Sequence, residues 1–252
     1  MTTKDSLGDR MKENYENRYR IFLTRRTPVI IRIDGKAFHT FTRGLRKPFD
    51  MNMVCSMFDT TKYLCENIMG CQMGYTQSDE ISLLLIDYKK LTSQAWFDYN
   101  LQKICSVAAS MATKAFNKAF MQWTANPNEY PDKKMEAEFD ARAFNIPENE
   151  VCNYFIWRQQ DATRNSIESL GHCHFTQKEL HKKNCSQIQD MLMEQKQINW
   201  NDKPIFFKRG CAIKKYFKEE NGIMRSYWME DMETPIFTQN RGYIEDLLKQ
   251  ED

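Results

Sequence analysis

The sequence has no apolar run long enough to cross a bilayer, and its N-terminus, Met1 to Arg10, lacks the apolar core of a secretory signal. Both absences point to a protein that works in water, and we expect it in the cytoplasm. It has eight cysteines, Cys55, Cys65, Cys71, Cys105, Cys152, Cys173, Cys185 and Cys211, but no CxxC pair, so in a reducing compartment they read as free packing thiols. His172, Cys173, His174, His181 and Cys185 have metal-ligand chemistry, yet they lack the paired short spacings of a structural zinc site. There is no GxSxG for a serine hydrolase, no internal repeat and no Ser/Gly-rich linker. Charge of one sign is also scarce: the net value is +2, so no global field attracts a polyanion and any nucleic-acid contact rests on local patches.

What is present is an ordinary globular balance, 41% hydrophobic and 28% charged over 252 residues, enough for a substantial core. One basic patch is Lys36, Arg43, Arg46 and Lys47. The other is Lys203, Lys208, Arg209, Lys214, Lys215 and Lys218, interleaved with Phe206, Phe207, Tyr216 and Phe217.

After a charged, helix-favouring stretch over residues 5 to 25, the β-branched run Val29 to Ile33 predicts a buried strand ending at Asp34 and Gly35. Asp50 is a plausible N-cap for a helix carrying Val54, Phe58, Leu64, Cys65 and Ile68 on one stripe and stopping at Gly70. Residues 71 to 77 and 81 to 87 read as a hairpin turning at Ser78-Asp79-Glu80, 99 to 122 as an amphipathic helix, and 137 to 146 as a strand. The order strand, helix, strand, strand, helix, strand is the split β-α-β arrangement of a ferredoxin-like α+β sheet. There the third strand lies between the first two and antiparallel to both, so Asp34 and Asp79 meet at one sheet edge. A helix from about Glu150 to Leu170, a polar helix from Thr176 to about Gln197 and a hairpin turning at Asn221-Gly222 follow. We divide the chain into a catalytic part, 1–149, and a C-terminal appendage of helices and hairpin, 150–252, packed on it.

Asp34, Asp79 and Glu80 at one edge would repel one another unless a cation neutralised them, and oxygen ligands there suit Mg²⁺ with substrate phosphates, a two-metal phosphoryl-transfer site. The plainer alternative is an Asp-Gly turn beside a solvated hairpin. Gly35 permits close backbone approach, and Lys36, Ala37, Phe38 and His39 could offer successive amides to a triphosphate. Arg158, Asp161 and Asn165 share a helix face that could meet phosphates or simply face solvent.

Several ordered segments, Arg32-Ile33-Asp34-Gly35-Lys36-Ala37-Phe38-His39, Lys47-Pro48-Phe49-Asp50, Gly74 to Ser82, Phe139-Asp140-Ala141-Arg142 and Trp157-Arg158-Gln159-Gln160-Asp161, resemble the signature segments of the tRNA(His) guanylyltransferase family. The resemblance covers residues 10 to about 170. It implies a polymerase-like palm in which Asp34, the Gly35 carbonyl and Asp79 bind two Mg²⁺ ions and Glu80 supports them. Residues 34 to 39 with Ser78 would cradle the nucleotide, with ATP and GTP as substrates, and Lys47, Lys103, Arg142 and Asn165 would bind phosphates or RNA; from its helix face we expect Arg158 among these contacts. Eukaryotic members carry His-Ile-Asn-Asn-Leu-Tyr-Asn where this chain has Ala162 to Glu168, which looks like the bacterial and archaeal guanylyltransferase-like branch. That branch is associated with template-dependent 3′ to 5′ repair of 5′-truncated tRNA, and the family with homotetramers. Two other functions share the topology. A nucleotidyl cyclase would act on nucleotide alone. A non-catalytic RRM-like module would need exposed aromatics on strands one and three, which Val29 to Asp34 and Ser82 to Ile86 do not supply.

Overall fold

The computed structural model describes residues 6–124, 130 and 136–250. Strand β1, Val29–Gly35, sends alternate side chains to opposite faces of a sheet. Val29, Ile31 and Ile33 pack under helices α1, Met51–Asn67, and α2, Leu101–Trp123. The Asp50 carboxylate accepts from the Met53 amide at 3.2 Å and caps α1, and the Asn100 side chain does the same for Lys103 and α2 at 3.0 Å. Gly70, at φ +82°, turns the chain after α1 where a Cβ would come within 2.8 Å of the Ile86 carbonyl.

Strands β2, Cys71–Gln77, and β3, Glu80–Leu85, form the expected hairpin, and β4, Phe139–Asn145, lies on the other side of β1. The expected topology is found: β3 sits between β1 and β2, antiparallel to both, with helices α1 and α2 on one face.

The opposite face is closed by the long helix α3, Glu148–His174, whose Val151, Cys152, Tyr154 and Phe155 pack on Ile30, Met73, Tyr75 and Leu84. A third apolar cluster joins the C-terminal half of α3 to α4, Cys185–Lys196, through Ile167, Leu170, Ile188 and Leu192. The single polar helix expected from Thr176 to Gln197 is divided. A turn, Gln177–Leu180, ends before Lys182, which has φ +60°, and Asn184 then caps α4 reciprocally with Gln187. The N-terminal stretch is likewise less regular than its composition suggested: a helix over Ser6–Met11 passes into a π-turn and a 3₁₀ turn.

Strands β5, Cys211–Glu220, and β6, Ile223–Asp231, form the predicted hairpin with Asn221 and Gly222 at positive φ. β5 pairs with β2, Thr76 opposite Cys211 and Met73 opposite Lys214, so the C-terminal hairpin continues the same six-stranded sheet, β4-β1-β3-β2-β5-β6. Among the described residues no helix is long and apolar enough to cross a membrane.

Candidate active site

The register places Asp34 opposite Glu80 of β3 and Asp140 of β4, while Asp79 occupies the β2–β3 turn. The Gly35 amide donates to the Asp79 carbonyl at 3.1 Å, which ties the end of β1 to that turn. Ser78, at φ +50°, donates its hydroxyl to the Asp79 carboxylate at 2.9 Å. Burial pushes the Asp79 carboxyl above its usual range; the Ser78 bond opposes the shift and the charge of Asp34 adds to it.

Three carboxylates were expected together, and the structure brings two to the edge and turns the third inward. Glu80, 5% exposed, points to Arg32 and Arg158. Arg32 Nη2 lies 2.7 Å from Glu80 Oε2 and 3.3 Å from Asp34 Oδ2. Arg158 Nε lies 2.9 Å from Glu80 Oε1, off the line of a hydrogen bond, so both atoms and Arg32 Nε are buried without a hydrogen-bond partner. Even with two guanidiniums beside it, burial holds the Glu80 carboxyl above its ordinary value. Arg158, placed by sequence among the phosphate and RNA contacts, is 3% exposed and taken up by Glu80 and Asp161. Its reach is spent joining α3 to the sheet. Nearby, the Ser82 and Tyr154 hydroxyls share a buried bond of 2.8 Å.

Among the described residues no group of three or more His, Cys, Asp or Glu side chains is placed to hold a metal, and Glu80 is committed to arginine. Two carboxylates at a partly exposed edge nevertheless suit Mg²⁺, which keeps several waters and accepts substrate phosphates rather than filling an all-protein cage. Asp79 is desolvated beside the charge of Asp34, and Arg32, the guanidinium at Asp34, is shared with Glu80, so the residues fit a divalent cation.

The loop after β1 differs from a row of free amides. A Cβ on Gly35 would come within 2.2 Å of the Phe38 ring, which requires glycine there. The Lys36 amide donates to the Glu138 carbonyl at 2.8 Å and its ammonium to the Glu138 carboxylate at 2.6 Å, so Lys36 is turned to β4. Ala37 adopts φ +53°, and Phe38 and His39 start a helical turn, Phe38–Phe41, whose first N–H groups find no partner within the turn. The Phe38 ring itself is core, packed on Phe116 and Phe139.

Beside the carboxylates opens a cavity of about 370 Å³. Lys47, Ser78 and Asn165, three of the expected contacts, line it together with Gln77 and the rings of Phe49, Phe58, Phe206 and Phe207. Phe49 and Phe207 stack at 4.2 Å between centroids. His172 and Cys173 contribute to its wall.

Arg142 stands opposite Arg32 in register, exposed and bonded to Asp140 at 2.7 Å. Lys103 is not brought to the site within the chain. The Thr113 hydroxyl accepts from the Phe139 amide near the Asp34 end of the sheet, and Lys103 sits ten residues earlier on α2, about 15 Å along its axis. Its ammonium lies 5.2 Å from the centre of the Phe97 ring. Sequence reasoning passed over Arg32, although a lone charge two residues before Asp34 in an aliphatic strand shares its face.

Residues 8–147 match the family described as tRNAHis guanylyltransferase. The whole fold resembles a bacterial tRNA(His) guanylyltransferase-like protein solved in complex with ATP, with 51% identity, a TM-score of 0.85, and coverage of 97% of this chain and 99% of that one. A structure described in the same words but in complex with GTP matches at 49% identity and a TM-score of 0.79, over 97% and 99% of the two chains. A tRNA(His) guanylyltransferase of Debaryomyces hansenii is 28% identical over 76% of this chain and 75% of its own. An uncharacterised protein of Acanthamoeba polyphaga mimivirus is 30% identical over 97% of this chain and 88% of its own. With these matches, the palm-type sheet and its carboxylate edge define a nucleotidyltransferase. The chain belongs to the tRNA(His) guanylyltransferase family.

Proposed function

We propose that the protein adds nucleotides to the 5′ end of tRNA in the 3′ to 5′ direction, directed by the opposite strand, and so repairs 5′-truncated tRNA. The observation that carries this reading is the pair Asp34 and Asp79 at a sheet edge beside a cavity lined by Lys47, Ser78, Asn165 and four phenylalanines. The Lys47 ammonium suits a triphosphate and the rings suit a base. The neighbours solved with ATP and with GTP support nucleotides as this chain's substrates.

In the first stage an oxygen of the RNA 5′-monophosphate attacks the α-phosphorus of ATP; a new P–O bond forms, the bond to the β-phosphate breaks and pyrophosphate leaves. In the second, the 3′-hydroxyl of an incoming nucleoside triphosphate attacks the activated 5′ phosphorus and AMP leaves. Asp34, Asp79 and the Gly35 carbonyl would hold Mg²⁺, which when bound supplies charge stabilisation at the reacting phosphates. Lys47 and Asn165 hold the triphosphate in the cavity, and Arg142 meets RNA phosphate. Pairing with the opposite strand selects the nucleotide, so the protein reads shape and phosphate rather than sequence. Segment 150–252 acts as an appendage supplying phosphate and RNA contacts; we place the enzyme in the cytoplasm as a homotetramer.

The test is incubation of 5′-monophosphorylated tRNA lacking its first nucleotide with Mg²⁺, ATP and labelled GTP, comparing the parent with Asp79→Ala. Templated extension by the parent and none by the folded variant is expected. No extension on any truncated tRNA, or a cyclic product from nucleotide alone, overturns the reading.

A further inference from the structure

The reaction above joins two partners, each carrying a nucleotide, at one pair of carboxylates. The aromatic cavity accommodates one of them. It opens on the β2 and β5 side, lined by Gln77, Ser78 and Gly210 and by the C-terminal half of α3. On the other side, above β1 and towards β4, stands Trp157, 52% exposed.

The surroundings of this indole fix it in place. The Arg158 guanidinium lies 4.1 Å from its centroid and that of Arg32 5.9 Å, while the Tyr154 ring meets it edge-on at 5.9 Å. None of these neighbours is free to drift: both guanidiniums are held by Glu80, Arg32 also contacts Asp34, and Tyr154 is bonded to Ser82. Trp157 is thus a half-exposed aromatic surface locked from below and one side, with its lock built from residues that contact the carboxylate edge. A ring already ordered loses little freedom on stacking, so the contact keeps most of its value.

We propose that Trp157 is the platform on which the 5′-terminal nucleobase of the RNA stacks during the activation stage, when the outer face of that base is still bare. This rests on the nucleotide-addition reading above. Arg142, exposed on the same sheet face opposite Arg32, is placed to meet phosphate of the same strand.

The experiment compares the parent, Trp157→Ala and Trp157→Phe on 5′-monophosphorylated truncated tRNA. Affinity is read by fluorescence anisotropy, and KM and kcat by adenylylation with ATP. Trp157→Ala is expected to weaken RNA affinity and raise the RNA KM roughly 10- to 100-fold, the range of one lost aromatic stack, while the KM for ATP stays unchanged and the variant remains folded at the assay temperature. Trp157→Phe restores most of the loss. A tRNA whose 5′-terminal nucleotide is abasic should weaken the parent by the same factor and Trp157→Ala no further. The proposal is overturned if Trp157→Ala binds RNA like the parent, if the abasic and alanine losses add in full, or if the loss falls on the KM for ATP or GTP. These binding arms decide it even should the parent extend no RNA, an outcome that counts instead against the function proposed above.

Discussion

The two faces of this sheet are covered by helices in opposite ways. Under α1 and α2 the residues of β1 and β3 are aliphatic along their length: Val29, Ile31, Ile33, Ile81, Leu83 and Leu85. On the α3 side the same two strands are apolar at one end of the sheet, with Ile30 and Leu84, and charged at the other, with Arg32, Asp34 and Glu80. A helix laid across that charged end must bring counter-charges, and α3 brings Arg158 and Asp161. One face stores stability in packing, and the other spends it to hold a polar site in a fixed geometry. The two should therefore respond differently to mutation.

The largest expected effect is on the charged face. Arg158→Met leaves Glu80 buried with one guanidinium fewer, a loss of about 3–5 kcal/mol by chemical denaturation, with activity reduced as Arg32 and Trp157 lose their support. Removing that guanidinium raises the Glu80 carboxyl further above its ordinary range. A carboxyl whose folded pKa exceeds its unfolded one holds its proton preferentially in the folded state, so stability falls as pH rises through the interval between them. The deficit of Arg158→Met should thus be larger at about pH 8 than at about pH 5, and Glu80→Gln in the same background should recover most of it. A deficit independent of pH would mean that Glu80 is not the group left unpaired.

Next comes the apolar face. Ile104→Ala, fully buried on α2 far from the carboxylates, should cost about 2–5 kcal/mol yet leave kcat/KM per folded molecule unchanged below its melting point. Any change in kcat/KM there would blur the division between the faces. The smallest effect is expected for Tyr154→Phe, which deletes the bond to Ser82: about 1–2 kcal/mol, with a small increase in the RNA KM as the indole loses one fixed neighbour.

Much of this was legible in the sequence, and what was hidden has a common cause. The run Val29 to Ile33, the Asp50 cap and the Asn221-Gly222 turn are local signals, and the elements stand where those signals put them. The meeting of Asp34 with Asp79 followed from strand order alone. Local signals do not say what lies over a face. Arg158 was placed among the phosphate contacts because a buried ion pair and an exposed cation are written with the same residues. Asn165, on the same helix, does reach the cavity. Lys103 was carried over by motif position, but its place on α2 puts it at the far end of the sheet. The pairing of β5 with β2 joins residues more than a hundred positions apart, and no periodicity announces it.

That pairing also bears on how the molecule is made. On the ribosome, β2 emerges with one edge open, and the strand that closes it begins only at Cys211. Until then the nascent chain carries an unpaired strand edge, a site for illicit association. The cavity at the same stage lacks Phe206, Phe207 and Gly210. The carboxylates are thus translated early, but one wall of the cavity beside them arrives with the last fifth of the chain, so a prematurely terminated product would have the carboxylate edge beside a cavity left open on that side.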